Sequence, residues 1–293
     1  MELSLKTIAI AISVLAAITL ALGAHFQNSA FEKGEKHGIK GALTLKNLKT
    51  LLTAKRWLGG FSFIAIATVL QVVALTIAPL IVVQPVGAIA LVITALINAR
   101  SSRTPITRNS WIAMGLSTFG IATFVTQAAS VAKDVPLSDD SLRVVLTLLI
   151  SILVLFGISF FTFARKAKAL AYIIGAGVLY GFVASLMKVV VQRIIIQHDI
   201  EWLTVLCGLS TVVAVLLGGW FVQSAYASGP PDLVIAGLTV IDPMVGVAIG
   251  IVILGEAQQA DAFTIFCFAL SGVLAVLGVW LLSKVHPELT KKA

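Results

Sequence analysis

Asp242 is the residue of this chain best placed to do chemistry. It stands near the middle of an apolar run, 232–254, directly before Pro243. In a bilayer a charge at mid-depth costs about 2.5–3.5 kcal/mol, so a carboxylate kept there needs a reason. Pro243 has no N–H to give, and it disturbs the helix bond to the carbonyl four residues back. Leu238 and Thr239 are therefore expected to offer backbone oxygen beside the carboxylate. That is chemistry for a cation or a proton. The plainer alternative is an aspartate hydrogen-bonded to a neighbouring helix. Lys188 lies near the end of its own apolar run and has two readings. Its long stem lets it snorkel to the surface. Reaching inward by about one helical turn, it would pair with Asp242, neutralise the site and suit an anionic substrate. Gln71, Gln84, Tyr180 and Gln223 add polar groups inside apolar runs, as does Gln127. Each alone reads as an interhelical hydrogen bond. Facing one cavity together, the first four would complete a polar site with Asp242 and Lys188.

Other chemistries lack their residues. There is no phosphate loop, no glycine-rich dinucleotide fingerprint and no H-E-x-x-H, so no cofactor is expected. The four histidines, His25, His37, His198 and His286, fall at run ends or in connections, which gives no support to a Ser-His-Asp hydrolase. An enzyme is not expected. Cys207 and Cys267 both sit inside apolar runs, without the spacing of a disulfide framework or a zinc site.

The elements that must carry these residues are membrane spans. Of 293 residues, 59% are apolar and 12% charged, against about 45–50% and about 25% in soluble domains. Mean hydropathy is +1.04. Disordered, collagenous, coiled-coil and disulfide-rich classes fail on the same arithmetic. Nine apolar runs are visible, at about 6–26, 59–79, 81–99, 110–131, 143–164, 169–192, 203–228, 232–254 and 262–284. They are read as helices because lipid offers no partner to a backbone N–H or C=O. Runs such as 144–161 do not alternate as barrel strands do. Lys6, the first run and Ala21-Leu22-Gly23-Ala24 also resemble a secretory leader, but the run is long for one.

The connections give the orientation. Lys33, Lys36, Lys40, Lys46, Lys49, Lys55 and Arg56 fill the connection 26–58. Three further basic groups follow the third span, the fifth span and the ninth, so that 16 of the 21 basic residues fall on one side. Asp134, Asp139, Asp140, Asp199, Glu201, Glu256 and Asp261 mark the other. The positive-inside rule puts the N-terminus outside and the C-terminus in the cytoplasm of a cell membrane. The net charge of +8 is thus topology, and no nucleic-acid partner is expected. Leu45, Leu48 and Leu52 share one face of the basic connection, which reads either as a helix on anionic headgroups or as a solvated loop.

Two stretches resemble one another. One runs from Gln71 to Leu96, the other from Gln223 to Leu254. Each has a glutamine late in one span, a proline turn (Pro79; Pro230-Pro231) and a new span broken by proline (Pro85; Pro243). The topology sends them through the membrane in opposite directions. Inverted repeats are a mark of secondary transporters, with the substrate site near the midplane. The fold expected is thus all-α and polytopic, about nine transmembrane helices in a single transporter domain. Its halves are about 1–131 and 143–284, with the basic cytoplasmic connection 26–58 inside the first. Gly177-xxx-Gly181 and Gly246-xxx-Gly250 are expected to pack helices within the monomer first, and to offer a homodimer face second.

The stretch FVQSAYASGPPDLVIAGLTVIDPMVGVAIGIVILGE, closing on Leu254-Gly255-Glu256, resembles the second-half signature of the drug/metabolite transporter (EamA-like) superfamily. APLIVVQPVGAIALVITALINAR, ending at Arg100, resembles the matching first-half segment, most closely that of the NIPA-type magnesium transporters. The first half departs from the pattern by ending in Ile97-Asn98-Ala99-Arg100 instead of Leu-Gly-Glu. The resemblance implies a transporter of a small metabolite, drug-like or lipid-linked solute, working by alternating access and open to proton coupling. Its expected site is Asp242, Lys188, Gln71, Tyr180, Gln84 and Gln223. One alternative is a magnesium or other divalent-cation path with Asp242 as metal ligand, for which one central carboxylate is thin. Another is a membrane scaffold or flippase accessory. The expected partners are the lipid bilayer and a small solute or ion.

Overall fold

The computed structural model describes residues 2–36, 55–101, 105–163, 168–228 and 231–285. The leucine face at 45–52 lies outside them. Ten α-helices follow in chain order: α1 (Glu2–Lys36), α2 (Lys55–Ile77), α3 (Leu80–Gly87), α4 (Ile89–Ser101), α5 (Arg108–Val131), α6 (Asp139–Phe163), α7 (Lys168–Val191), α8 (Trp202–Ser228), α9 (Pro231–Val252) and α10 (Ala262–Val285). Helix α7 runs on into a π-helical turn, Gln192–Ile196. Because α3 and α4 share one span, the described residues contain nine helical segments long and apolar enough to cross a membrane. The chain is an all-α polytopic membrane protein. Its outer faces say the same: Phe119, Ile150, Leu155, Leu216 and Phe266 are 61–69% exposed, which only lipid makes tolerable.

Local chemistry sets the breaks. Pro79 enters extended, at φ −57° and ψ 150°, so a new helix starts at Leu80. Pro85 gives no N–H to the Ile81 carbonyl, and the ladder tightens to three-residue bonds around Ala88, separating α3 from α4. Thr107 caps α5 by accepting from the Ser110 N–H, and Asp261 caps α10 through the Thr264 N–H at 2.8 Å.

Packing repeats across the two halves. The most extensive helix contacts are α1 with α2, α7 with α8, and α5 with α10. Helix α4 lies against α1, and α9 lies against α7, while α6 rests on α7 and α8. At the centre α3 crosses α9. The two run in opposite directions, because Glu256, just beyond the C-terminal end of α9, touches the first residues of α3.

The small-residue motifs place α9 between α7 and α3. A Cβ on Gly177 would meet Ile241 at 2.7 Å, and one on Gly181 would meet Val245 at 2.6 Å and the Asp242 carbonyl at 2.9 Å. A Cβ on Gly246 would meet Gln84 at 2.9 Å, and one on Gly250 would meet Ile81 at 2.6 Å. Both motifs are therefore filled by helices of the same chain.

Candidate functional site: a cavity at the crossing of the broken spans

The close approach of α3 and α9 brings together the residues that precede the two prolines. Gln84 Nε2 donates to Asp242 Oδ1 at 3.0 Å, across 158 residues of sequence. Gln84 is buried, and it is the one hydrogen-bond partner of Asp242 among the described residues. Pro243 leaves the Thr239 carbonyl without its helical donor, as expected from the sequence.

This pair borders a cavity of about 720 Å³. Gln71 of α2 and Tyr180 of α7 line it too, so four of the six expected site residues share one space. Tyr180 and Asp242 lie within electrostatic reach of each other. Gly218 of α8 leaves room for the tyrosine ring, which a Cβ there would meet at 3.3 Å. Thr68, Thr94, Asn98 and Thr239 add polar atoms, and the remaining walls are alanine, glycine, proline and larger aliphatic side chains. Asp242 is the one carboxylate among the described lining residues, and no lysine, arginine or histidine joins it.

The cavity is directional. Its lining extends from Leu75 and Met187 to Ala24 and Asn98, towards the end where α1 leaves the bundle and α2 enters it. There Asn98 Oδ1 accepts from His25 Nδ1 at 3.1 Å.

Two expected site residues lie elsewhere. Lys188 does not face Asp242 and does not line the cavity. It is wholly buried, donates to the Leu75 and Ala78 carbonyls at 2.8 Å each, and pairs with Asp134 at 2.7 Å. The reason is local: the carbonyls at and just past the end of α2 have no helical donor and stand at the negative end of its dipole, so they draw in the ammonium. Gln223 is exposed on α8, a helix that contributes no residue to the cavity among those described. The repeat pairs it with Gln71, but α8 stands behind α7 where α2 stands at the cavity wall.

Glu256 is the residue whose role the sequence does not announce. It is buried, and its two oxygens accept from the Leu80 N–H at 2.8 Å and the Ile81 N–H at 2.9 Å, capping α3. Gly255, at φ +68°, turns the chain back so that the carboxylate can reach there. The Lys133 N–H and the Gly250 carbonyl hold its backbone at 2.9 Å each. Burial pushes its carboxyl up to about 7, against the pull of Lys188 and of the two N–H donors, with Asp134 adding to the rise. The one signal in the sequence is the Leu-Gly-Glu ending itself.

A second charged knot stands at the same end. Arg193, buried in the π-helical turn, bonds Asp139 and pairs with Asp199 at 2.7 Å. The described residues hold no group of three histidine, cysteine or acidic side chains arranged for a metal.

No protein-family model matches the chain, and no solved structure matches it. The chain is similar to an uncharacterized protein of Corynebacterium glutamicum, 26% identical over 256 residues that cover 86% of each chain.

Proposed function

We propose that this protein is a secondary transporter of the drug/metabolite type, carrying a small solute by alternating access. The observation that carries the reading is Asp242: a carboxylate with one hydrogen-bond partner, lining a cavity of about 720 Å³ where two inverted, proline-broken spans cross. That is the place where inverted-repeat carriers bind their cargo. The Asn98 end faces the cytoplasm, because the basic connections lie on that side.

The lining favours one chemistry of solute. A lone carboxylate beside a phenol ring attracts a positive charge, and no cationic side chain is present to meet an anion. The aliphatic walls suit an apolar body, and the volume falls within the roughly 300–1,000 Å³ of small-molecule sites. A small organic cation fits these walls, with a proton exchanging for it on Asp242. Magnesium demands near-octahedral oxygen at close range, and one carboxylate in so wide a space supplies little of it.

The test is uptake of a panel of organic cations, benzyltrimethylammonium among them, into proteoliposomes under an opposing proton gradient. Saturable uptake that is lost in Asp242→Asn supports the reading. If no member moves at full incorporation, or if Asp242→Asn carries them as well as the native chain, the reading fails.

A further inference from the structure

Beside the Arg193 knot, the Glu256 end of the bundle carries two contacts that pass from one half to the other. Glu256, following α9, holds the first two N–H groups of α3. Lys188, on α7, holds the carbonyls at and just past the end of α2 and the Asp134 carboxylate in the connection after α5. The donors and acceptors at the end of α2 and the start of α3 belong to the first half and Asp134 to the connection between the halves, whereas Glu256 and Lys188 belong to the second. Leu75 joins the two structures directly: its side chain lines the cavity and its carbonyl is bonded to Lys188. The cavity therefore ends beneath this layer.

The opposite end is built differently. The step of 158 residues that relates Gln84 to Asp242 also relates Asn98 to Glu256. Asn98 stands at the cavity margin and bonds His25, which belongs to its own half. So at symmetry-related positions one end has a carboxylate that ties the halves together, and the other has a neutral amide that does not.

We propose that Glu256 and Lys188 form the latch that closes the Glu256 end of the cavity. Opening that end detaches Glu256 from α3 and Lys188 from α2, and the two halves part there. The carboxylate and the ammonium are then hydrated, which offsets the loss of their buried partners, so the layer has two arrangements instead of one continuous deformation. The proposal rests on the alternating-access reading, since only a carrier has to open this end. Asp134, partly exposed already, stays solvated in both arrangements.

The test uses the full-length chain with Cys207→Ala and Cys267→Ala, carrying Ala184→Cys as a reporter in the cavity wall. A membrane-impermeant maleimide is applied to each face in turn, in intact cells and in inverted membrane vesicles. With the latch intact, labelling is expected from the Asn98 end alone. Glu256→Ala and Lys188→Met are each expected to raise labelling from the Glu256 end roughly fivefold or more. Glu256→Gln keeps one acceptor for the α3 N–H groups and is expected to give a smaller rise. It keeps the proposal open to refutation if either stronger variant fails to fold. Unchanged labelling from the Glu256 end in the folded variants overturns the latch. Because labelling needs no solute, a latch that opens in a protein carrying nothing condemns the transport reading alone. Normal flux with a Glu256 face indifferent to these substitutions condemns the latch alone.

Discussion

Asp242 and Glu256 belong to the same stretch of chain, one within α9 and one just past its end, and both touch α3. Their surroundings differ in one respect. Glu256 has two backbone N–H donors on its oxygens and the charge of Lys188 nearby. Asp242 has one side-chain amide and an open cavity. A buried carboxylate whose acceptors are filled by backbone acts as a strut, and one left short of partners at a cavity wall has capacity for a ligand. Rarity of charge in an apolar run is common to both, so it does not separate a binding group from a structural one. The count of partners does.

That contrast makes graded predictions. The largest effect is expected from Asp242→Asn. Solute flux should fall about 100-fold, the scale for removing one partner of a desolvated charge pair. The melting temperature in detergent should stay within about 3 °C, because Gln84 keeps a side-chain partner. A large loss of stability with flux retained would reverse the assignment of the two carboxylates.

Glu256→Ala should do the opposite. It leaves two buried N–H groups unpaired and removes a cap, which costs about 3 kcal/mol in a denaturant titration. A cost near zero would show that the α3 terminus finds other partners.

The third effect is on pH. The Glu256 carboxyl, ordinarily at 4.5, is raised to about 7 where it is buried. A raised carboxyl gives the closed end a stabilisation fully present below about 4.5 and lost as pH rises through about 7. Opening of the Glu256 end should therefore increase between these values and level off above them. Labelling of Ala184→Cys from that face, divided by the labelling in Glu256→Gln at the same pH, reports it; a flat ratio refutes it.

The smallest effect is expected at Gln223. Exposed on α8 and away from the cavity, it should tolerate Gln223→Leu with stability changed by less than about 0.5 kcal/mol. Gln71→Leu, at the cavity wall, should weaken solute binding several-fold, as loss of one hydrogen bond does. Equal responses at the two glutamines would mean that the repeat, and not the cavity, decides their roles.

Much of this fold is legible in the order of the amino acids. The third span is read at 81–99 and found at Leu80–Ser101; the fourth is read at 110–131 and found at Arg108–Val131. Hydropathy does this well because lipid punishes every misplaced polar group. The sixth span is read to 192 but extends to Ile196. There the π-helical turn lets Gln192 and Arg193 point inward while Ile194, Ile195 and Ile196 are exposed. No hydropathy window sees a change of helical register. The two pre-proline residues are visible as a pair of motifs, but their hydrogen bond is not, since it spans 158 residues.

Lys188 and Gln223 show where sequence reading stops. For each, the apolar pattern gives a depth and leaves the neighbour open: of its two readings Lys188 takes the one away from Asp242, on Asp134 and the end of α2, and Gln223 stands apart from the cavity. Apolar runs measure position along the membrane normal, and by themselves they determined the class, the spans and the opposed direction of the repeats. Which way each side chain points around its helix depends on which helices touch, and here that follows from Gly177, Gly181, Gly246 and Gly250 admitting α7 and α3 to opposite flanks of α9. Only the tertiary structure decided that Gln84 meets Asp242 and that Lys188 meets the end of α2. The hydrophobic effect sorts residues by depth, whereas close packing chooses their partners one contact at a time.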